Sequence, residues 1–278
     1  MFLSNRIVPL SVLRFGAVGI LLFGLLRHLP AVEIIAHRGG AWKDAPENTL
    51  PAFKIGYDQG ADADELDIYL TKDGQVVVIH DGNTKRITGV DGKVPEKTMD
   101  ELRAMDAGNS TSGWKGKGVK LPMLSEVLAL IPTGKRLFIE IKCGPEVLPA
   151  LEKVLKTAGK KPEQTVIIGF GYDTMREAKA KFPNLAVYWI LGWKKDKETG
   201  KYPDLEDVIT KAKAAHLDGL DLDYKFPIDA AYVSKISNAG LKLYTWTVDD
   251  AAVAKRLSAA GVNGITTNRA GWMREQLK

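Results

Sequence analysis

The stretch Ala63-Asp64-Glu65-Leu66-Asp67-Ile68-Tyr69-Leu70 reads as a hydrophobic β-strand with carboxylates set into it. Side chains alternate faces along a strand, so Glu65 and Asp67 point the same way. Two other stretches repeat the pattern. Glu33–Ala36 runs into Ala36-His37-Arg38-Gly39-Gly40, and Leu137-Phe138-Ile139-Glu140-Ile141-Lys142 places Glu140 and Lys142 on one face. A buried strand would normally continue with Val or Ile at these ends. Three carboxylates, two histidines (His37 and His80) and two cations (Arg38 and Lys142) at strand ends describe a metal-assisted phosphate site better than a core.

Outward from these stretches, strand-like and helix-like segments alternate. The strands are expected at Glu33–Ala36, Ala63–Leu70, Leu137–Ile141, Thr165–Ile168, Ala186–Leu191, Leu217–Leu222, Leu241–Thr247 and Gly264–Thr267. Amphipathic helices are expected at Glu146–Lys156, Thr174–Lys181, Leu205–Ala215, Ala230–Asn238 and Ala251–Ala259. Such alternation gives a parallel sheet with helical crossovers, and strands of this number and spacing close into a (β/α)8 TIM barrel over residues 32–278. Barrel active sites lie at the C-terminal strand ends, which is where the polar residues above fall. Gln75–Ile79 follows the turn Lys72-Asp73-Gly74 and reads as a hairpin return. Residues 82–120, polar and rich in Gly and Lys with one helical piece at Met99–Met105, read as a small inserted subdomain on the catalytic face. Trp193, in the loop Gly192–Pro203, is expected to border the same opening.

Composition bounds the rest. The 278 residues are 45% hydrophobic and 26% charged, and the net charge is +5. Arg6, Arg14 and Arg27 supply three of those charges where no acid occurs in residues 1–31. The mild excess left elsewhere gives no case for nucleic acid. The lone Cys143 excludes an intrachain disulfide and suits a small buried residue. Arg6 and Arg14 precede the apolar run Phe15–Leu26, which is short for a bilayer span and suits an export signal cleaved near Ala31. An uncleaved anchor, bringing the barrel close to a membrane, is one alternative, and a segment without a targeting role is the other. By the first two readings the protein is exported, to the periplasm or beyond, and that is the expectation.

The chemistry follows from the residue types. Three carboxylates cannot share a low-dielectric site unless they are protonated or neutralised by a cation. Oxygen ligands without cysteine point to Mg²⁺ or Ca²⁺. His37 and His80 can serve as acid and base, and Gly39 and Gly40 would let the backbone approach a ligand. His28 lies in the targeting segment and His216 where a helix meets a strand, so neither is assigned a role. Pro46-Glu47-Asn48-Thr49 reads as a helix start capped by Asn48 or Thr49, with Glu47 placed to brace Arg38 or the metal. Tyr244 and Trp246 share a face of one strand, as core or as an aromatic wall for the substrate's alcohol.

Taken in order, His37-Arg38-Gly39, Pro46-Glu47-Asn48-Thr49, Glu65-Leu66-Asp67 with Thr71-Lys72-Asp73-Gly74, His80-Asp81, Glu140-Ile141-Lys142 and Thr245-Trp246-Thr247-Val248 resemble the glycerophosphodiester phosphodiesterase family from about Ile34 to Trp272. Asp106-Ala107-Gly108 and Leu121-Pro122-Met123-Leu124 extend the resemblance into the insertion. Near the end the family usually has Thr-Asp-Arg-Pro, whereas this chain has Thr267-Asn268-Arg269-Ala270, a departure expected to touch no residue of the core site. The resemblance implies a barrel hydrolase that converts small glycerophosphodiesters to sn-glycerol 3-phosphate and an alcohol. By it, Glu65, Asp67 and Glu140 hold the metal, His37 and His80 are acid and base, and Arg38 and Lys142 grip the phosphate, with Glu47 and Trp246 beside the substrate. Two rivals stand next to it: a phospholipase of the sphingomyelinase-D type acting on lysophospholipid headgroups, and a non-catalytic ligand-binding barrel.

Overall fold

The computed structural model describes residues 1–2, 32–40 and 43–278. The proposed export segment, with Phe15–Leu26 and the cleavage position Ala31, lies outside the described residues. Among those described, no helix is long and apolar enough to cross a membrane.

From Glu33 onward the strands are β1 (Glu33–Ala36), β2 (Ala63–Leu70), β3 (Val76–Val78), β4 (Arg136–Ile141), β5 (Thr165–Gly169), β6 (Ala186–Leu191), β7 (Gly219–Asp223), β8 (Lys242–Trp246) and β9 (Gly264–Thr267). The helices are α1 (Leu50–Asp58), α2 (Lys85–Thr88), α3 (Met99–Arg103), α4 (Leu124–Leu130), α5 (Leu148–Ala158), α6 (Tyr172–Lys181), α7 (Leu205–Ala214), α8 (Ala230–Asn238), α9 (Ala251–Ala260) and α10 (Ala270–Gln276). The strands follow the order β1-β9-β8-β7-β6-β5-β4-β2, and a β1–β2 pairing closes the ring. All ring pairings are parallel. This is the expected (β/α)8 barrel, with each expected strand inside two residues of its place. β3 pairs antiparallel with β2 outside the ring, as the Asp-Gly turn predicts.

Local departures have local causes. β7 starts at Gly219 rather than Leu217 because His216 adopts φ 53, a turn that delays pairing. The helix expected from Glu146 begins at Leu148, after a short 3-10 turn over Pro145–Val147. Asp204, Asp229 and Asp250 cap α7, α8 and α9 by accepting first-turn N–H groups.

Alternation along the strands sorts the core into two layers. Outward residues such as Leu66, Ile139, Ile167, Leu220 and Leu243 pack under the helices. Inward residues Ile35, Ala63, Phe138, Val166, Ile168, Tyr188, Ile190 and Tyr244 fill the barrel. Tyr188 and Tyr244 stack at 5.0 Å and Phe138 meets Tyr244 edge-on at 5.2 Å. Below this plug Arg136 pairs with Glu33 at 2.7 Å, and the Tyr244 hydroxyl donates to Glu33 at 2.8 Å. Tyr244 is therefore core and not a substrate wall. Between β3 and α4, the side chains of Val77, Ile79, Ile87, Val94, Met99, Leu102, Ala107 and Leu121 form a separate small cluster.

Candidate active site

The turn after β1 sets the first residues in place. Arg38 takes the left-handed conformation (φ 54), which costs a non-glycine residue about 1–2 kcal/mol. Three contacts hold it there. Its N–H donates to Glu65 Oε2 at 2.9 Å, Nη1 donates to Glu47 Oε1 at 3.0 Å, and Nε lies 3.3 Å from Asp67 Oδ2. Gly39 follows at φ 93, and a Cβ there would fall 2.6 Å from the Ala52 carbonyl carbon. The expectation that these glycines serve ligand approach is thus corrected at Gly39. Its bareness lets α1 pack against the turn.

Register brings the acids together. Asp67 on β2 stands opposite Glu140 on β4, and His37 follows β1 beside Glu65. Glu65, Asp67 and Glu140 each offer an oxygen within 4.8 Å of the others, and all three are buried. Burial, then Asp67 and Glu140, pushes the Glu65 carboxyl well above its usual range. Glu140 is raised to about 7 by burial and then by Asp67. Burial opposes ionisation of Asp67 too, but Arg38 and Lys142 prevail and hold its pKa down. Lys142 Nζ lies 2.8 Å from Glu140 Oε1 and 3.6 Å from Asp67 Oδ1. Glu65 Oε1 and Asp67 Oδ1 are buried without a hydrogen-bond partner. Such orphaned oxygens beside a like-charged neighbour fit a bound hard cation, and the donor set has no sulfur.

The two histidines are held differently. His37 Nδ1 lies 2.7 Å from Asn268 Oδ1, while Asn268 Nδ2 donates to Asp249 Oδ2 at 2.6 Å. With the amide nitrogen committed to a carboxylate, its oxygen must accept, so Nδ1 carries the His37 proton and Nε2 is left basic. Burial and then Arg38 lower the His37 pKa to about 4. His80 Nδ1 instead meets Asp81 Oδ1 at 2.6 Å, and its Nε2 is 3.4 Å from Lys142 Nζ. Asp81 continues to Arg86 Nε at 2.5 Å, and Arg86 Nη2 reaches Glu47 Oε1 at 2.6 Å. Glu47 therefore braces Arg38, as expected, and ties it to His80 through Arg86.

His37, Arg38, Glu65, His80, Glu140, Lys142 and Trp246 line one cavity of about 250 Å³ at the C-terminal strand ends. Asp67 lies behind it, clamped by Asn48, whose Nδ2 donates to Oδ2 at 2.8 Å and whose Oδ1 accepts from the Asp67 N–H at 3.2 Å. Neither Asn48 nor Thr49 caps α1 by a side-chain bond, so that reading is corrected. So is the expectation that the departure at Asn268 touches no core residue, because Asn268 binds His37 directly. Trp193 stacks on Tyr202 at 4.4 Å and is absent from the cavity lining. Phe170, edge-on to Trp246 at 5.4 Å, takes a rim place instead. A wider depression of about 930 Å³ at the opposite barrel end, near Lys135 and Lys242, has no histidine in its lining.

Residues 37–271 match the model of the Glycerophosphoryl diester phosphodiesterase family. The chain belongs to that family. It is an enzyme of the phosphoric diester hydrolase class. A glycerophosphodiester phosphodiesterase of Caldanaerobacter subterraneus subsp. tengcongensis is 36% identical over 240 residues, covering 84% of this chain and 93% of that one. The Bacillus subtilis glycerophosphodiester phosphodiesterase is 30% identical over 288 residues, covering 95% of each. Among solved structures, an Oleispira antarctica phosphodiesterase in complex with the product sn-glycerol-3-phosphate superposes with a TM-score of 0.77 at 27% identity, covering 89% of this chain and 97% of that one. The matched segment thus runs from the turn after β1 into α10 and contains every residue of the cavity.

Proposed function

We propose that this enzyme hydrolyses glycerophosphodiesters to sn-glycerol 3-phosphate and an alcohol, using a divalent cation held by Glu65, Asp67 and Glu140. The carrying observation is that these carboxylates, two differently partnered histidines and two fixed cations meet at one cavity. When bound, Mg²⁺ or Ca²⁺ supplies positive charge against the phosphate's non-bridging oxygens. Arg38 and Lys142 grip the same anion and are already oriented by Glu47 and Glu140. His37, kept neutral with Nε2 free, takes the proton of the attacking nucleophile, either water directly or the substrate's own hydroxyl, in which case water then opens the cyclic phosphate. His80, oriented by Asp81, protonates the departing alkoxide.

Chelation tests this reading. Turnover of glycerophosphocholine should stop in EDTA, return with Mg²⁺ or Ca²⁺, and yield sn-glycerol 3-phosphate and choline by product analysis. Full activity in a metal-free preparation would end the metal assignment. Preference for lysophosphatidylcholine with a cyclic phosphate product would favour the sphingomyelinase-D-type rival. We further propose that residues 1–31 direct export, with Arg6, Arg14 and Phe15–Leu26 as the signal.

A further inference from the structure

Asp221 has no part in the network described so far. It lies on β7 between Gly219 and Asp223, and Gly219 faces the inner-layer Tyr188 ring, so Asp221 shares the inward face one layer higher. Its side chain lines the cavity beside Glu65 and Glu140, the residue is 2% exposed, and Oδ1 is buried without a hydrogen-bond partner. It does not join the three carboxylates whose oxygens gather within 4.8 Å. A buried carboxyl oxygen without a partner is a cost that a bound hydroxyl would relieve.

We propose that Asp221 receives a hydroxyl of the substrate's glyceryl end, an inference that rests on the diesterase reading above. The phosphate is drawn to Arg38 and Lys142 and would be repelled by a carboxylate. The departing alcohol is the variable part of a diester and needs the open end, where Phe170 is 46% exposed next to Trp246. Asp221 instead stands with Ile168 and Ile190, apolar walls of the filled barrel below. A short polyol fits that end: its carbons meet the isoleucines and a hydroxyl meets the carboxyl. Selecting a hydroxyl this way is effective because an analogue lacking it leaves the buried group unpaired.

The test compares glycerophosphocholine with 3-hydroxypropyl and 2-hydroxypropyl phosphocholine, each missing one glyceryl hydroxyl, at saturating divalent cation. Wild-type kcat/KM should favour the complete substrate over one of these analogues by about 10–100-fold. In Asp221→Ala that ratio should collapse to near one, while Asp221→Asn, whose amide can still hydrogen-bond a hydroxyl, keeps part of it. Calorimetric binding of sn-glycerol 3-phosphate should weaken in Asp221→Ala by a matching factor, with 3-hydroxypropyl or 2-hydroxypropyl phosphate as the comparison. The melting temperature should not fall, since an unpaired buried acid is removed. An unchanged ratio, an equal loss on all diesters, or a loss confined to the choline headgroup and absent with glycerophosphoglycerol would overturn the proposal. Wild-type enzyme inactive on every glycerophosphodiester would instead overturn the diesterase reading, and the Asp221 role with it.

Discussion

Glu140→Gln should stabilise the metal-free protein, increasingly so as pH rises. Burial and Asp67 raise the Glu140 carboxyl from 4.5 to about 7 in the fold. A carboxyl whose folded pKa is raised binds its proton more tightly in the folded state, so its contribution is full below about 4.5 and is lost as pH climbs to about 7. The rise from 4.5 to about 7 is worth roughly 3.5 kcal/mol in full for a group this buried, of which roughly 2.5 kcal/mol is lost between pH 5 and pH 8. At roughly 2–4 °C per kcal/mol, wild type should lose about 5–10 °C relative to the glutamine variant over that window. The difference between the two proteins is the informative quantity. His37, lowered to about 4, gains stability with pH up to its unfolded value and would mask the trend in wild type alone. Asp67 is held low, so its contribution is lost only on acidification and stays outside this window. Scanning fluorimetry in EDTA at half-unit pH steps measures the gap. Adding Mg²⁺ or Ca²⁺ at about 100 times Kd should then raise wild type by about 2.7 kcal/mol and the variant by less. Superimposable wild-type and variant curves from pH 5 to pH 8 would refute the like-charge crowding on which the cation site is argued.

Three further outcomes are expected. His37→Ala and His80→Ala should each lower turnover by at least ~100-fold with the fold retained, whereas His216→Asn, outside the cavity at a left-handed turn, should leave it intact; steady-state kinetics and circular dichroism check both. Asn268→Leu removes the acceptor from His37 Nδ1 and should cut kcat by roughly 10–100-fold with KM little altered, since a buried donor left unpaired costs about 1–3 kcal/mol; an unchanged kcat would remove Asn268 from the machinery. N-terminal sequencing of the mature protein should find cleavage near Ala31 or, for an anchored form, Met1 in the membrane fraction; an intact Met1 in the soluble cytoplasmic fraction would refute export.

Strand periodicity made most of the site legible. Glu65, Asp67, Glu140 and Lys142 occupy inward positions where an all-apolar strand would be expected, and a parallel barrel gathers such positions at one end. The same signal was present in Gly219-Leu220-Asp221-Leu222-Asp223, where Asp221 shares parity with a glycine and a second carboxylate. Asn48 and Asn268 were not legible in this way. Asn48 leaves a turn with φ 57, so its direction follows from a backbone conformation rather than an alternation. The bond between Asn268 and His37 spans 231 residues and exists only because β9 closes against β1. Arg86 belongs to the segment after β3, whose course no period encodes, yet it joins Asp81 to Glu47. Supporting contacts of this kind come from tertiary closure, and single-chain patterning carries no register for them.

Asp64 shows why burial of an acid is by itself no sign of a site. It neighbours Glu65 on the same strand, is fully buried, and has both carboxylate oxygens without partners. Its pKa is pushed well above the usual range, as for Glu65. But it has outward parity, and Gly56 of α1 lies so close that a Cβ there would come within 2.2 Å of Asp64 Oδ1. It does not line the candidate cavity, and of the two carboxyls only Glu65 takes part in the cluster of three gathered acids. The unpaired oxygen of Glu65, by contrast, belongs with those of Asp67 and Asp221 near Arg38 and Lys142, where a cation and a polyol phosphate would satisfy them together. The two carboxyls carry the same kind of energetic cost, and only on the inward face can a ligand relieve it. Strand parity therefore decides which buried acid a ligand in the cavity can reach and which is closed in by packing.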